Sequence, residues 1–156
     1  TILNKVIEEV KSIGDTPKRS IYLRKIILEM VRLNNPVNTI TRNINKDILV
    51  GDKRFKKNDQ ILIFNNPILR DPTKFINPNK FIPNRWNHNL ENDYHNVTFN
   101  QGPQKCPGKE LTIFIAESFI RNLFLIKKPN IISKKINTNY IPQSINPCNL
   151  EFLFIS

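Results

Sequence analysis

A mainly α fold with small β-sheets is what this sequence predicts, on three observations. Apolar residues recur at helical spacing over 2–13 and 21–33, and the run from Lys109 to Ile126 is apolar on most of its circumference. Short β-compatible pieces separated by turn residues fill 37–64. Prolines at 67, 72, 78 and 83 then exclude a long helix and force an extended, turning path.

Taken in order, Ile2, Val6, Ile7, Val10 and Ile13 form the stripe of a first helix, which Gly14 ends as a C-cap. The stripe begins with nothing before it to cover it, as expected of a piece of a longer protein. Ser20 is a good N-cap for a second helix running to Leu33, where Asn34-Asn35-Pro36 stops it. Glu29 and Arg32 are three apart on one face of that helix, shared with Ile26 and Leu33, so the pair is expected to be at least partly buried. A Glu/Arg pair at this spacing is otherwise a solvated surface pair worth little.

Strand-like pieces follow at Thr39–Arg42, Ile48–Val50 and Gln60–Phe64, broken by Gly51-Asp52 and Asn58-Asp59. The segment from Arg70 to Trp86 is an aromatic and proline meander that must pack on something to be ordered. Residues 87–98 are Asn-rich and read as a loop. Its two histidines, His88 and His95, have neither zinc spacing nor a second cysteine nearby.

Next comes Phe99-Asn-Gln-Gly102-Pro-Gln104-Lys-Cys106-Pro-Gly108, a loop stiffened by Pro103 and Pro107 and freed at Gly102 and Gly108. Cys106 lies just before the Lys109–Ile126 helix, where free N–H groups and the helix dipole stabilise negative charge on sulfur. A thiolate on a rigid loop is what a haem iron needs from an axial cysteine. Taken alone, a lone cysteine such as Cys106 is usually a small buried hydrophobe. The long helix, apolar nearly all round, is expected to be buried. The remainder, through Ile131-Ile132, Tyr140-Ile141-Pro142 and Leu150–Ile155, reads as short strands or a hairpin. Cys148 there has no role.

Composition bounds the function. The chain of 156 residues suffices for one modest domain, and a hydrophobic content of 39% lies outside the disordered range. Lys and Arg number 24 against 13 Asp and Glu, a net charge of +11. That permits nucleic acid, anionic membrane or an acidic protein as partner. The positive residues are scattered rather than clustered among aromatics, so a basic nucleic-acid-binding domain rests on charge alone and no nucleic acid is expected. Two cysteines give no disulfide framework and fit a reducing intracellular compartment. No charge-free run of roughly eighteen apolar residues exists, so membrane anchoring would need a preceding region.

The Cys106 loop resembles the haem-binding signature of the cytochrome P450 family, Phe-x-x-Gly-x-Arg-x-Cys-x-Gly. Phe99, Gly102, Cys106 and Gly108 match it, and Gln104 stands where the family usually has Arg. Tyr22-Leu-Arg-Lys-Ile-Ile-Leu-Glu29-Met-Val-Arg32-Leu-Asn-Asn-Pro36 resembles the family's Glu-x-x-Arg helix. The segment 69–86 resembles its His-Arg-Asp-Pro-x-x-Phe-x-Asp-Pro-x-x-Phe-x-Pro-x-Arg-Phe meander, with Leu69, Asn77 and Trp86 as departures. Arg42, Asp47, Gly51 and the strand Ile61–Phe64 follow the order of its small sheet.

The resemblance covers almost the whole chain and corresponds to roughly the C-terminal third of the family fold. It divides the chain into two helices (1–36), a small sheet (37–64), the meander (65–98), the Cys ligand loop with its proximal helix (99–126) and closing β elements (127–156). It implies haem b, with Cys106 as the axial ligand of the iron and Phe99, Gly102, Gln104 and Gly108 shaping its loop. It further implies Arg42 on a haem propionate, a role whose bland alternative is an exposed strand-end arginine, and a buried network of Glu29, Arg32 and Arg85. Activity would be oxidation of a small organic substrate with O2, with electrons from a reductase or ferredoxin on the proximal face. Lys105 and Lys109 are candidate contacts there, or ordinary solvated charge. No catalytic residue is identifiable, because the family's distal oxygen-activating helix has no counterpart. A non-catalytic or degenerate haem-binding remnant is therefore the alternative. Substrate and location stay open.

Overall fold

A computed structural model describes residues 1–14, 16, 18–126, 128–131 and 152–155. Helix α1 (Ile2–Ile13) starts on Thr1, whose hydroxyl accepts from the Asn4 N–H at 3.2 Å, and ends at Gly14 with φ 55°. Helix α2 (Ile21–Leu33) is capped by Ser20, whose hydroxyl accepts from the Leu23 N–H at 3.2 Å. A second acceptor arrives from outside. The Glu9 carboxylate of α1 takes the Ser20 hydroxyl and the N–H groups of Tyr22 (2.9 Å) and Leu23 (3.2 Å). A carboxylate over the unpaired amides of a helix N-terminus satisfies them and complements the dipole, so α1 and α2 meet in a defined orientation.

Among the described residues the strands form three two-stranded antiparallel sheets. Strand β1 (Thr39–Asn43) pairs with β4 (Gln60–Phe64), with Arg42 opposite Ile61. Between them, β2 (Ile48–Val50) and β3 (Lys53–Phe55) form a hairpin turning at Gly51-Asp52, where Gly51 has φ 62°. The third sheet joins β5 (Lys128–Ile131) to β6 (Phe152–Ile155). The expected piece Tyr140-Ile141-Pro142 and Cys148 lie outside the described residues. The meander holds two short helices that the sequence reading lacked, α3 (Asn65–Leu69) and α4 (His88–Asn92). Helix α4 corrects the loop expected at 87–98. Its Asn87 side chain accepts from the Leu90 N–H at 2.9 Å, and this cap is enough to nucleate one turn. Helix α5 spans Lys109–Ile126.

Helix α2 is buried on two sides. Leu23, Ile27 and Leu28 pack with Val6 and Val10 of α1, Ile113 of α5 and Trp86. Burying such a side chain contributes about 1.5–3 kcal/mol. The opposite side carries Glu29 and Arg32, both fully buried. Arg32 pairs with Glu29 through two bonds (2.8 and 2.9 Å) and also donates to the carbonyls of Leu69 and Pro78, each at 2.8 Å, with its guanidinium over the Phe75 ring. Arg85 donates to Glu29 at 3.0 Å, as does the Ile82 N–H. Trp86 adds an indole N–H at 2.9 Å, which a phenylalanine there could not supply. The network of Glu29, Arg32 and Arg85 thus forms and pins the meander to α2.

Helix α5 corrects the expectation of burial all round. It packs on α1 and α2 along a stripe with Lys109, Ile113 and Glu117 buried. Leu111, Phe114, Ile115, Phe119 and Ile126 remain exposed, because no described element covers them. No helix among the described residues is long and apolar enough to cross a membrane.

Two predictions follow from the Glu29 network. Glu29→Gln strands two guanidinium groups in the core and is expected to lower unfolding free energy by about 3–5 kcal/mol, read as a reduced urea midpoint. Burial pushes the Glu29 carboxyl up, but the hydrogen bonds from Arg32, Ile82 and Arg85, with the Arg32 charge, outweigh it and hold it below its ordinary value. Hydrogen bonds from Arg24 hold Glu110 down as well, at about 2. Groups with lowered folded values stabilise above their unfolded value and lose that contribution as pH falls. Thermal midpoints are therefore expected to drop as pH falls from the ordinary carboxylate value of 4.5 toward about 2. A midpoint unchanged across that window contradicts this assignment.

Candidate functional site

The loop between the meander and α5 is shaped by its backbone. The Cys106 N–H donates to the Phe99 carbonyl at 2.8 Å, which closes the segment into a tight return. Inside it Gly102–Gln104 makes one 3₁₀ turn, with Gly102 at φ 70° and the Lys105 N–H donating back to the Gly102 carbonyl at 3.1 Å. Asn100, at φ 56° and ψ 168°, occupies a region that essentially only glycine visits, a strain of roughly 1–3 kcal/mol held by the rest of the loop. Phe99 anchors the loop by packing against the core cluster. The Thr112 N–H donating to the Gly108 carbonyl at 2.8 Å then starts the α5 ladder.

Cys106 is a free, half-buried thiol just before that helix. A Cβ added at Gly108 would come 3.9 Å from its sulfur, in ordinary contact with it. A free, half-buried thiol on a loop fixed by its own hydrogen bonds fits a thiolate ligand to a haem iron. Among the described residues no group of three or more His, Cys, Asp and Glu could hold a metal ion. His88 lies in α4, and His95 Nδ1 pairs with Asp93 at 2.7 Å.

The other sequence-derived residues fall as follows. Gln104 is exposed and makes no side-chain hydrogen bond among the described residues. Arg42 is half-buried on the β1 face it shares with Ile40. Its one side-chain hydrogen bond among the described residues goes to the neighbouring Thr41 carbonyl at 3.0 Å, leaving most of its guanidinium N–H groups for another acceptor. It is hydrogen-bonded to neither Cys106 nor Gln104. Lys105 is exposed. Lys109 is not: its side chain is 6% exposed and its ammonium lies 2.7 Å from Glu91 Oε1, so it is removed as a docking contact. A desolvated cation already committed to a carboxylate has little to offer an approaching partner.

Sequence reasoning missed the charged cluster around that pair. Glu91 of α4 also meets Arg24 of α2, and Arg24 in turn binds Glu110. Burial pushes the Glu91 carboxyl up, but the hydrogen bonds from Arg24 and Lys109 outweigh it and hold it below its ordinary value. Hydrogen bonding to Glu110 leads the effects that raise Arg24 above its already high value. Lys109 carried the signal, since a cation at the positive end of a helix needs a nearby acid.

The family model described as Cytochrome P450 matches residues 3–125. The (21S)-21-acetyl-1-hydroxy-apo-melianone synthase of Melia azedarach is 26% identical over 125 residues, covering 80% of this chain and 26% of that protein. The 7,8-epoxymelianol synthase of Ailanthus altissima is 28% identical over 136 residues, 87% of this chain and 26% of that protein. Cytochrome P450 85A of Phaseolus vulgaris is 32% identical over 100 residues, 64% of this chain and 22% of that protein. The chain thus spans about a quarter of the length of these curated relatives. With the match reaching from α1 to the end of α5, the chain belongs to the cytochrome P450 family, whose cofactor is haem iron.

Proposed function

We propose that this chain supplies the thiolate side of a haem monooxygenase, with Cys106 as the axial ligand of the iron. The observation that carries the reading is the free, half-buried Cys106 thiol on a closed loop at the start of α5. Haem, when bound, supplies the iron at which dioxygen is reduced and a small organic substrate oxidised.

The chain's own residues do the holding. Cys106 donates charge through sulfur, and the N–H groups at the start of α5 oppose that charge. Arg42, with guanidinium N–H groups left over, pairs with a propionate through charge-assisted bonds. Gln104 offers one neutral hydrogen bond where an arginine would offer a charged fork. The exposed Lys105 beside the ligand meets an acidic reductase or ferredoxin and speeds encounter. Because the chain spans only part of its relatives, monooxygenase activity belongs to the complete protein.

The direct test is an absorption spectrum of the haem-reconstituted, reduced and CO-treated protein. A strongly red-shifted Soret band is expected, and it should be lost in Cys106→Ala. A band unmoved by that substitution removes Cys106 as the ligand. Gln104→Arg replaces a neutral bond with a charged one, a gain of about 1–2 kcal/mol. Haem loss to a scavenger protein should then slow roughly 5- to 30-fold by the usual free-energy relation. An unchanged loss rate removes Gln104 from the haem contact.

A further inference from the structure

Lys109 is a poor residue for its place. It opens α5, where the helix dipole repels cations, and its side chain is buried, where an unpaired ammonium is disfavoured. The partner that makes this tolerable is Glu91, which touches the ligand loop at both ends. Its side-chain Oε1 lies 2.7 Å from Lys109 Nζ, just past the loop's exit. Its backbone carbonyl accepts from the amide side chain of Gln101 at 3.4 Å, near the loop's entrance, and from Asn96 at 3.0 Å. Gln101 also donates to the Asn96 carbonyl at 3.2 Å.

Glu91 is itself held from outside the loop. Arg24 of α2 reaches its two carboxylate oxygens at 2.5 and 3.3 Å. The same guanidinium binds Glu110, the second residue of α5, at 2.9 and 3.0 Å. One α4 residue therefore joins the loop's entrance, its exit and the core helix α2, all within a cluster whose side chains at Arg24, Glu91 and Lys109 are mostly buried.

We propose that Glu91 is a positioning residue for Cys106: with Arg24 and Lys109 it forms a clasp that holds the loop 101–109 closed and fixes where the sulfur sits. The proposal rests on Cys106 being the haem ligand only for its catalytic meaning, because the clasp holds the loop whether or not haem is present. Arg24 makes the clasp continuous with the α2 helix that carries Glu29 and Arg32, so the position of the thiol is tied to the core rather than to the surface.

Two variants separate positioning from stability. Glu91→Gln leaves Lys109 buried without its counter-charge and loosens both loop and fold. Lys109→Met removes the cation together with its need for a partner, leaves Glu91 paired with Arg24, and opens only the loop's exit. In the haem-free chain, Lys109→Met is expected to leave the thermal midpoint and α2 amide exchange near wild type. Exchange at 106–112, and alkylation of Cys106 resolved from Cys148 by mass spectrometry, should speed about tenfold. Lys109→Arg, which keeps the cation, should restore the wild-type rates. In haem-reconstituted protein the same Lys109→Met should reduce the share of the red-shifted CO band. Alkylation and exchange unchanged in both Glu91→Gln and Lys109→Met overturn the clasp. A wild-type spectrum with no red-shifted band overturns haem ligation instead, while the alkylation comparison still decides the clasp.

Discussion

One buried carboxylate holds this fold together. Glu29 accepts five hydrogen bonds, two from Arg32 and one each from the Ile82 amide, Arg85 and Trp86. Taking a carboxylate and a guanidinium out of water is unfavourable by several kcal/mol per ion, and the deficit is offset only when every lone pair and proton finds a partner. Here the partners come from α2, from the 3₁₀ turn at Pro83–Arg85 and from the residues on either side of it, Ile82 and Trp86. Arg32 donates its remaining N–H groups to the carbonyls of Leu69, Pro78 and Lys80. A meander of short helices and turns thereby gains a fixed path, because its backbone is hydrogen-bonded to a fully buried side chain. Trp86, filling the core beside Val10 and Ile27, places the Cys-bearing segment a short distance along the chain from that anchor.

Much of this was legible from residue spacing, and the reasons differ by element. Helices α1 and α2 announce themselves because their stripes, caps and stops agree. Glu29 and Arg32 could be paired because they are three apart on a helix, but Arg85 could be added only through resemblance, since the two lie far apart in sequence. Helix α5 misled for a physical reason: an apolar circumference states what a helix needs and not what the described chain provides, and Phe119 and Ile115 stay exposed. Lys109 misleads in the opposite sense, as charge adjacent to the Cys106 loop reads as surface. The burial of that ammonium depends on Glu91, an acid that no local pattern selects from the 13 in the sequence. The Glu9 cap on α2 is of the same kind, a tertiary contact between residues that no periodicity relates.

The Cys106 loop combines both lessons. Its glycines, its closure onto the Phe99 carbonyl and the start of α5 are local features that the sequence pattern carries directly. Its attachment is not local. Phe99 sits against the hydrophobic cluster, and the acid of α4 holds the flanks, so the sulfur is placed by one apolar and one charged anchor. Strain at Asn100 is compatible with this arrangement, since a residue in an unfavourable backbone region persists only where its surroundings overdetermine it.

The hairpin of β2 and β3 has the reverse character. Gly51 at its tip has nothing within 4 Å of a would-be side chain, and Leu49 and Val50 beside it are largely exposed. The pairing of β1 with β4 closes the base of this excursion, so the tip transmits little to the helices below. A peptide spliced between Gly51 and Asp52 would lengthen a solvent-facing turn and leave the registers of both ladders alone. That makes the tip the natural place to carry an epitope or a fluorophore for following the protein without disturbing its interior.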